Sequence, residues 1–171
     1  MARNIEIKAR IQSIELLLPA VASLADSGPI TIHQEDTFFS CRNGRMKLRK
    51  FSDAEGELIF YQRPDHPGPK ESFYFRAPTT SPDALRDALA FGYGVIGQVR
   101  KCRILFMTGR TRIHLDRVER LGDFLELEVI MAENEILEAA TLIAQRILDK
   151  LDVLPEQLVP AAYLDLLAKT P

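Results

Sequence analysis

Charged and apolar residues alternate in segment after segment of this 171-residue chain. In residues 4–11, for example, Glu6 and Lys8 fall on one face, while Ile5 and Ile7 fall on the other. A period of two residues is typical of a β-strand whose faces meet different surroundings. Charged or polar side chains at spacing two recur in segments that contain Arg45, Lys47 and Arg49; Glu57, Tyr61 and Arg63; Tyr74 and Arg76; Lys101 and Arg103; Arg110, Arg112, His114 and Asp116; and Glu126 and Glu128.

The order of the predicted elements indicates an α+β fold, a closed eight-stranded antiparallel β-barrel with helices packed outside. The strands follow one another without regular βαβ alternation, and Asn43-Gly44 is a strong hairpin signal. We expect one domain over residues 1–171. The predicted strands are 4–11, 32–42, 45–51, 57–63, 71–77, 96–107, 110–119 and 123–131; the predicted helices are 13–24, with a kink or break at Pro19, 81–92, 133–150 and 155–168.

The charged strand faces allow two interpretations. On any single strand they could be the solvated outer face of an ordinary sheet. Their repetition on seven strands favours a barrel that closes with these faces inward. Its lumen would hold a surplus of basic groups and a small acidic cluster, which is costly unless the charges are paired or bind ligands. A triphosphate with a hard divalent cation would suit such a lumen.

Composition and hydropathy limit the classes of protein to which the chain could belong. The formal net charge of −2 gives no support to a general nucleic-acid binder, which would usually be basic. The N-terminal segment lacks the apolar run of a signal peptide, and no apolar stretch approaches the length of a membrane helix. We therefore expect a cytoplasmic protein that binds a small molecule and no nucleic acid or membrane. A homodimer is possible if the helices leave apolar outer faces of the strands uncovered.

Several motifs together resemble the CYTH superfamily, the triphosphate tunnel metalloenzymes, and among its members the bacterial class IV adenylyl cyclase-like proteins. NIEIKARI is similar to the ExExK signature of that family, and GRMKLR to its basic second motif. ELIFYQRPD with GPKESFY, then VRKCR, TRIHLD and LGDFLELEV, resemble the remaining core strands in order. The resemblance covers about residues 3–165. It implies an eight-stranded tunnel that acts on a triphosphate with Mg²⁺ or Mn²⁺.

The resemblance also implies roles for particular residues. Glu6 and Lys8 match the second Glu and the Lys of ExExK and are the catalytic candidates, with Lys8 a phosphate contact or general base. From the residues alone, Lys8 could instead be an ion-pair partner of Glu6 or Glu128. The triphosphate-binding candidates are Lys47, Arg49, Arg63, Lys101, Arg103 and Arg112, and the metal-binding candidates are Glu6, Asp116, Glu126 and Glu128.

The sequence departs from the family pattern at two places. Asn4 stands where ExExK has its first Glu, so one metal ligand would be a neutral oxygen. Phe38 and Phe39 stand on the strand where hydrolytic members often carry a Tyr thought to pair with the Lys of ExExK. A phenyl ring cannot hydrogen-bond an attacking water.

Three functions follow. The first is an adenylyl cyclase that forms cyclic AMP and pyrophosphate from ATP, which the missing Tyr favours. The second is a tripolyphosphatase or other triphosphate hydrolase. The third is a non-catalytic triphosphate-binding module, which Asn4 would suit.

Overall fold

The computed structural model describes residues 2–62 and 70–170. Eight antiparallel strands close into a barrel in the order β1-β5-β4-β3-β2-β6-β7-β8, which confirms the predicted fold. The strands are β1 (Ala2–Arg10), β2 (Ser27–Phe39), β3 (Arg45–Ser52), β4 (Glu55–Gln62), β5 (Lys70–Thr79), β6 (Val95–Thr108), β7 (Thr111–Val118) and β8 (Gly122–Ile130). The helices are α1 (Ile14–Leu24), α2 (Pro82–Tyr93), α3 (Leu137–Lys150) and α4 (Tyr163–Leu167), with a 3₁₀ turn at Pro155–Gln157.

On β1, β7 and β8 the apolar face lies outside the barrel, where helices cover it. Ile5 and Ile7 of β1 belong to the main hydrophobic core together with Leu127 of β8. Ala144 and Leu148 of α3 complete this core, and α1 contributes to it beside β7. The apolar positions of these strands are thus buried on the outside, which leaves the alternate positions to line the lumen.

Two helix predictions need correction. The chain forms a single helix, α1, that continues through Pro19. Pro19 has no N–H to donate to the Glu15 carbonyl, but both residues lie on the exposed face of the helix. Water can therefore hydrogen-bond this carbonyl. The helix predicted at 155–168 is instead a 3₁₀ turn, an extended segment and the short α4. Leu158 bridges Ala9 in this extended segment, and Pro160 cannot donate the hydrogen bond that a continuous helix needs.

The C-terminal segment 158–167 closes one end of the barrel. The Val159 N–H donates to the Lys8 carbonyl at 2.8 Å, and the Arg45 side chain donates to Asp165 at 2.8 Å. Phe38, Phe124 and Tyr163 pack together in a second hydrophobic cluster at this end. We call this end the sealed end of the tunnel.

Within residues 2–62 and 70–170, no helix is both long and apolar enough to cross a membrane.

Candidate functional site

Most of the charged positions predicted from the sequence face the barrel lumen. They line one cavity of about 260 Å³, equivalent to roughly nine water molecules at about 30 Å³ each. A barrel that closes in this way excludes the alternative of a solvated outer face for these strands. The lining includes Glu6, Lys8, Lys47, Arg49, Lys101, Arg103, Arg112, His114, Glu126 and Glu128. Arg63 lies outside the described residues.

Asp36 joins two of the predicted phosphate ligands into one cluster. Its carboxylate accepts a hydrogen bond from Lys47 at 2.6 Å and two from Arg49 at 2.7 and 2.8 Å. Burial alone would raise the Asp36 pKa, but the charges of Arg49 and Lys47 outweigh it and hold that pKa far below its usual range. The carboxylate is therefore ionised at neutral pH, and it fixes both cations with their remaining donors available to a ligand.

Asp116 organises a second cluster in the same manner. It accepts hydrogen bonds from Lys101 at 2.8 Å, from Arg103 at 2.6 Å through both the Nε and an Nη, and from the Tyr163 hydroxyl at 2.9 Å. Burial opposes ionisation of Asp116, yet Arg103 and Lys101 keep its pKa well below the ordinary value. Burial, and then the like charge of Arg103, lower the pKa of Lys101 to about 7.

Asp116, which was predicted as a metal ligand, lies among the predicted phosphate-binding residues. Asp116 is fully buried, and three side chains donate to it. In the β7–β8 register it lies opposite Phe124, whereas Glu126 and Glu128 lie further along β8. The structure therefore brings Asp116 together with the phosphate-binding candidates, and it separates Asp116 from the Glu6–Glu128 pair.

The wall of the lumen formed by β1 and β8 carries the other predicted carboxylates. Glu6 lies directly opposite Glu128, and Lys8 directly opposite Glu126, in the β1–β8 register. Arg112 pairs with Glu128 at 3.0 Å. The basic clusters thus face a wall that is rich in carboxylates.

Lys8 lies near the sealed end, in a row of side chains that it forms with Glu126 and His114 on the neighbouring strands. Its Nζ is 3.7 Å from Glu126, donates to the Ala161 carbonyl at 3.4 Å and lies 3.9 Å from the centre of the Tyr163 ring. These are contacts that an ammonium group makes. Lys8 therefore forms an ion pair with Glu126, a carboxylate that the sequence did not suggest as its partner.

Glu126 and His114 complete this row. Glu126 also accepts from Arg103 at 3.0 Å and lies 3.4 Å from His114 Nδ1. Burial would raise the Glu126 pKa, but Arg103 in particular holds it well below the ordinary value. Burial and Arg103 lower the pKa of His114, so the imidazole is neutral at pH 7. His114 lines the wall, as predicted from its face.

Oxygen ligands for a hard cation meet at Asn4, Glu6 and Glu128. Like charges directly opposite each other on neighbouring strands repel, and a cation beside them reduces this repulsion, as Arg112 does beside Glu128. Asn4 is 1% exposed, its Nδ2 donates to Glu128, and its Oδ1 has no hydrogen-bond partner among residues 2–62 and 70–170. Within the described ranges no three His, Cys, Asp or Glu side chains converge as a metal cluster, so a cation here would use the Asn4 oxygen as its third protein ligand. The residues fit Mg²⁺ or Mn²⁺.

The charge of the lumen is closer to balance than the sequence suggested. Among the described side chains that line it, with Asp116 included, seven are cationic and six are anionic. The expected large basic surplus is wrong, because Asp36 and Glu57 are buried beside Arg49 and Arg76. Sequence reasoning missed Asp36, although its position two residues from Gln34 and Phe38 places it on the lumen face. It also missed Tyr163, which no strand pattern could indicate.

A closed antiparallel barrel whose lumen is lined by paired cations and carboxylates defines a class of proteins with a charged tunnel. The CYTH domain matches residues 2–163, and the chain belongs to the CYTH family. No curated protein matches the sequence.

Several solved structures share the fold. PH1012 from Pyrococcus horikoshii OT3 has a TM-score of 0.83 at 24% identity, covering 95% of this chain and 98% of PH1012. A candidate adenylate cyclase from Vibrio parahaemolyticus has a TM-score of 0.74 at 18% identity, covering 96% and 97%. HpAC1 from Hippeastrum, a candidate adenylyl cyclase with a dominant triphosphatase activity, has a TM-score of 0.69 at 14% identity, covering 99% and 96%.

Proposed function

We propose that this protein is a metal-dependent enzyme that acts on a triphosphate in the tunnel and converts ATP to cyclic AMP and pyrophosphate. The observation that carries the proposal is the pair of cation clusters that Asp36 and Asp116 hold on the lumen wall, opposite Glu6, Glu126 and Glu128. The family membership and the activity named for the Vibrio structure support it, whereas the dominant triphosphatase activity named for the Hippeastrum structure supports hydrolysis.

The cations would bind the non-bridging phosphate oxygens. Phosphoryl transfer asks a protein mainly to position the groups and to neutralise developing charge. Lys47, Arg49, Lys101 and Arg103 are held in place by buried carboxylates before a ligand arrives, so little reorganisation is needed on binding. Arg112 would add a contact on the opposite wall. We retain Arg63 as a sixth candidate from the family resemblance.

The carboxylate wall would hold the metal ion. Asn4, Glu6 and Glu128 would supply protein oxygens to Mg²⁺ or Mn²⁺. When bound, such an ion neutralises phosphate charge and lowers the pKa of an attacking hydroxyl. Glu126 would keep Lys8 at the lumen surface, where its ammonium group can contact a phosphate oxygen.

Phe38 favours cyclisation over hydrolysis. Its ring lines the lumen, and the Lys47 Nζ lies 5.5 Å from the ring centre. A phenyl group offers no hydrogen bond to an attacking water, whereas the attacking group in cyclisation is a hydroxyl of the substrate itself.

A triphosphate hydrolase is the second candidate, and the contact between Lys8 and Tyr163 favours it. The C-terminal segment places a tyrosine ring 3.9 Å from this lysine, although β2 supplies none. Against this role, the Tyr163 hydroxyl donates to Asp116, and burial and Asp116 raise its pKa well above the ordinary value.

A product assay tests these alternatives. The purified protein is incubated with ATP, and separately with tripolyphosphate, in Mg²⁺ or Mn²⁺, and the products are separated by chromatography. Cyclic AMP with pyrophosphate is the expected result, and orthophosphate from tripolyphosphate without cyclic AMP would identify a hydrolase. Binding without turnover would identify the non-catalytic module. Lys47→Met should abolish tight triphosphate binding, whereas Lys50→Met, on the outer face of the same strand, should leave it unchanged.

Cytoplasmic localisation and a homodimer remain predictions. The side chains of Phe91 and Ile96 are exposed on the outer surface near the end of α2. Apolar side chains in such a place are what a dimer contact would cover. Size-exclusion chromatography with light scattering would give the mass of the particle in solution.

A further inference from the structure

Uncharged side chains interrupt the charged lining of the lumen on β2 and β3. We propose that Ile32, Gln34 and Phe51 bind the planar base of a nucleoside triphosphate, and that Gln34 selects adenine. We call these three residues the base subsite. The inference rests on the proposed function and deepens it, because it names the residues that would choose ATP among the nucleoside triphosphates.

The three residues are neighbours on the lumen wall. Ile32 and Gln34 alternate on the inward face of β2, and Phe51 lies on the inward face of β3. Glu35 pairs with Lys50 in the β2–β3 register, and Gln34 and Phe51 are the next residues on the two strands. The amide of Gln34 therefore lies between two apolar side chains, Ile32 along its own strand and Phe51 on the next strand.

The base subsite adjoins the phosphate-binding candidates of β6. Gln34 lies directly opposite Lys101, and Ile32 directly opposite Arg103, in the β2–β6 register. Neighbouring strands are about 4.8 Å apart. Both cations are held in place because they donate to the Asp116 carboxylate. A nucleotide whose phosphates bind these cations can therefore place its base against the base subsite without leaving the lumen.

The amide oxygen of Gln34 is buried and lacks a donor. The residue is 6% exposed, and its Oε1 forms no hydrogen bond within residues 2–62 and 70–170. The ammonium group of Lys101, on the neighbouring strand, donates instead to Asp116. Most buried polar atoms in proteins are hydrogen-bonded, and one that is left without a partner is costly. We therefore interpret Gln34 as a group whose partner arrives with the ligand.

The chemistry of these side chains suits adenine. Ile32 and Phe51 offer apolar surface on which a base can stack. An amide carries a donor and an acceptor in one plane, and the terminal torsion of Gln34 lets either end face the lumen. Adenine has the complementary pair, with N7 as acceptor and the 6-amino group as donor. Guanine has acceptors at both positions, so it would leave the Gln34 oxygen without a donor.

Nucleotides that differ only in their base test the proposal by binding. Calorimetry without divalent metal, so that no turnover takes place, compares ATP with GTP and with purine riboside triphosphate, which lacks the 6-amino group. A bidentate pair of this kind discriminates by about 1–3 kcal/mol, which is roughly 5–150-fold in affinity. We expect ATP to bind more tightly than either of the others by a factor in this range. Equal affinities, or tighter binding of GTP, would overturn the role of Gln34.

Substitution of Gln34 should remove the selectivity and leave phosphate binding intact. Gln34→Leu removes the amide, so ATP should bind no more tightly than GTP, while the affinity for tripolyphosphate stays within about 2-fold because no phosphate contact is lost. Gln34→Arg should reverse the preference toward GTP, because arginine pairs with O6 and N7 of guanine. Gln98→Leu is the matched control, since Gln98 is exposed on the outer face of β6, and it should keep the native selectivity. Retained selectivity in Gln34→Leu would contradict the proposal.

Phe51→Ala tests the stacking surface separately. Loss of an aromatic side chain that stacks on a base costs roughly 5–150-fold in affinity. Phe51→Ala should therefore weaken binding of ATP and GTP by similar factors and leave tripolyphosphate binding unchanged. Circular dichroism checks that each variant folds, and the comparison of bases in the native protein stands even if one does not. If tripolyphosphate binds but no base is preferred, the base subsite is wrong and the proposed function stands; if neither tripolyphosphate nor ATP binds, both fail.

Discussion

Replacing Asp36 with Asn tests whether a buried carboxylate holds the phosphate-binding cations in place. Asp36→Asn keeps the shape of the side chain and removes one negative charge between Lys47 and Arg49. Removal of one partner of a buried ion pair costs about 3–5 kcal/mol. The side chains of Lys47 and Arg49 are 14% and 12% exposed, and the new amide oxygen can still accept one hydrogen bond. We therefore expect the lower end of this range, about 3 kcal/mol.

The same change should strengthen the response to an anion. The two cations lose their internal partner, so a bound triphosphate supplies the missing negative charge. We expect the melting temperature of Asp36→Asn to fall by roughly 6–12 °C without ligand, at about 2–4 °C per kcal/mol for a chain of this size. Added tripolyphosphate should then raise the melting temperature of the variant more than it raises that of the native protein.

Thermal denaturation followed by circular dichroism, with and without tripolyphosphate, measures both effects. Glu35→Gln is the matched control, because Glu35 is the neighbouring residue on the outer face of β2 and pairs with the exposed Arg100. An exposed pair contributes about 0–1 kcal/mol, so this control should melt close to the native protein.

The pH dependence gives a further check on the same variant. The Asp36 pKa is lower in the folded protein than in the unfolded chain. Its contribution to stability is therefore complete above the unfolded pKa of about 3.9 and is lost as the pH falls below it. The difference between Asp36→Asn and the native protein should shrink in acid. Equal stability at pH 7, or no greater gain from tripolyphosphate, would refute the reasoning.

Three other changes have defined outcomes. Tyr163→Phe removes a donor from the buried Asp116 carboxylate, and we expect a loss of about 1–2 kcal/mol in urea unfolding; a loss below about 0.5 kcal/mol would contradict this. Asn4→Asp adds a charged ligand beside Glu128, and electron paramagnetic resonance of Mn²⁺ should show roughly 10–100-fold tighter metal binding; unchanged affinity would argue against a metal at this position. The pKa of Lys101 is about 7 in the folded protein and near 10.4 in the unfolded chain. Between these pH values the folded protein therefore binds fewer protons than the unfolded chain does. Because of this difference, the contribution of Lys101 to the free energy of unfolding increases as the pH rises. Binding of tripolyphosphate should favour the protonated form of Lys101. Calorimetry at pH 8 in buffers of different ionisation enthalpy should therefore show that a proton is taken up on binding, and Lys101→Met should abolish this proton uptake.

Local pattern was enough to predict most of the barrel. Alternation in residues 4–11 and 123–131 defined strands whose apolar and charged faces are those observed for β1 and β8. The hairpin at Asn43-Gly44 is also present, with a longer turn between Phe39 and Arg45. Such predictions succeed because strand geometry places successive side chains on opposite faces, whatever lies elsewhere in the chain.

The sequence indicated which types of residue line the site, but only some of the ion pairs and hydrogen bonds that these residues form. Lys47, Arg49, Lys101 and Arg103 could be assigned to the lumen from spacing and from the family resemblance. Their partners could not be assigned, because Asp36 and Asp116 meet these cations through strand register. Register depends on how the whole sheet pairs, and one segment does not contain that information.

The sequence by itself determined that charged and apolar faces alternate along seven strands, since a period of two is a property of the local backbone. The tertiary structure decided that the charged faces point inward, that Asp36 and Asp116 nearly balance the cations, and that residues 158–167 seal one end. Closure of β1 onto both β5 and β8 brings together residues more than a hundred positions apart, such as Glu6 and Glu128. The seal depends on Tyr163 crossing the barrel end to reach Asp116, a contact that arises only when the C-terminal segment packs against the completed barrel.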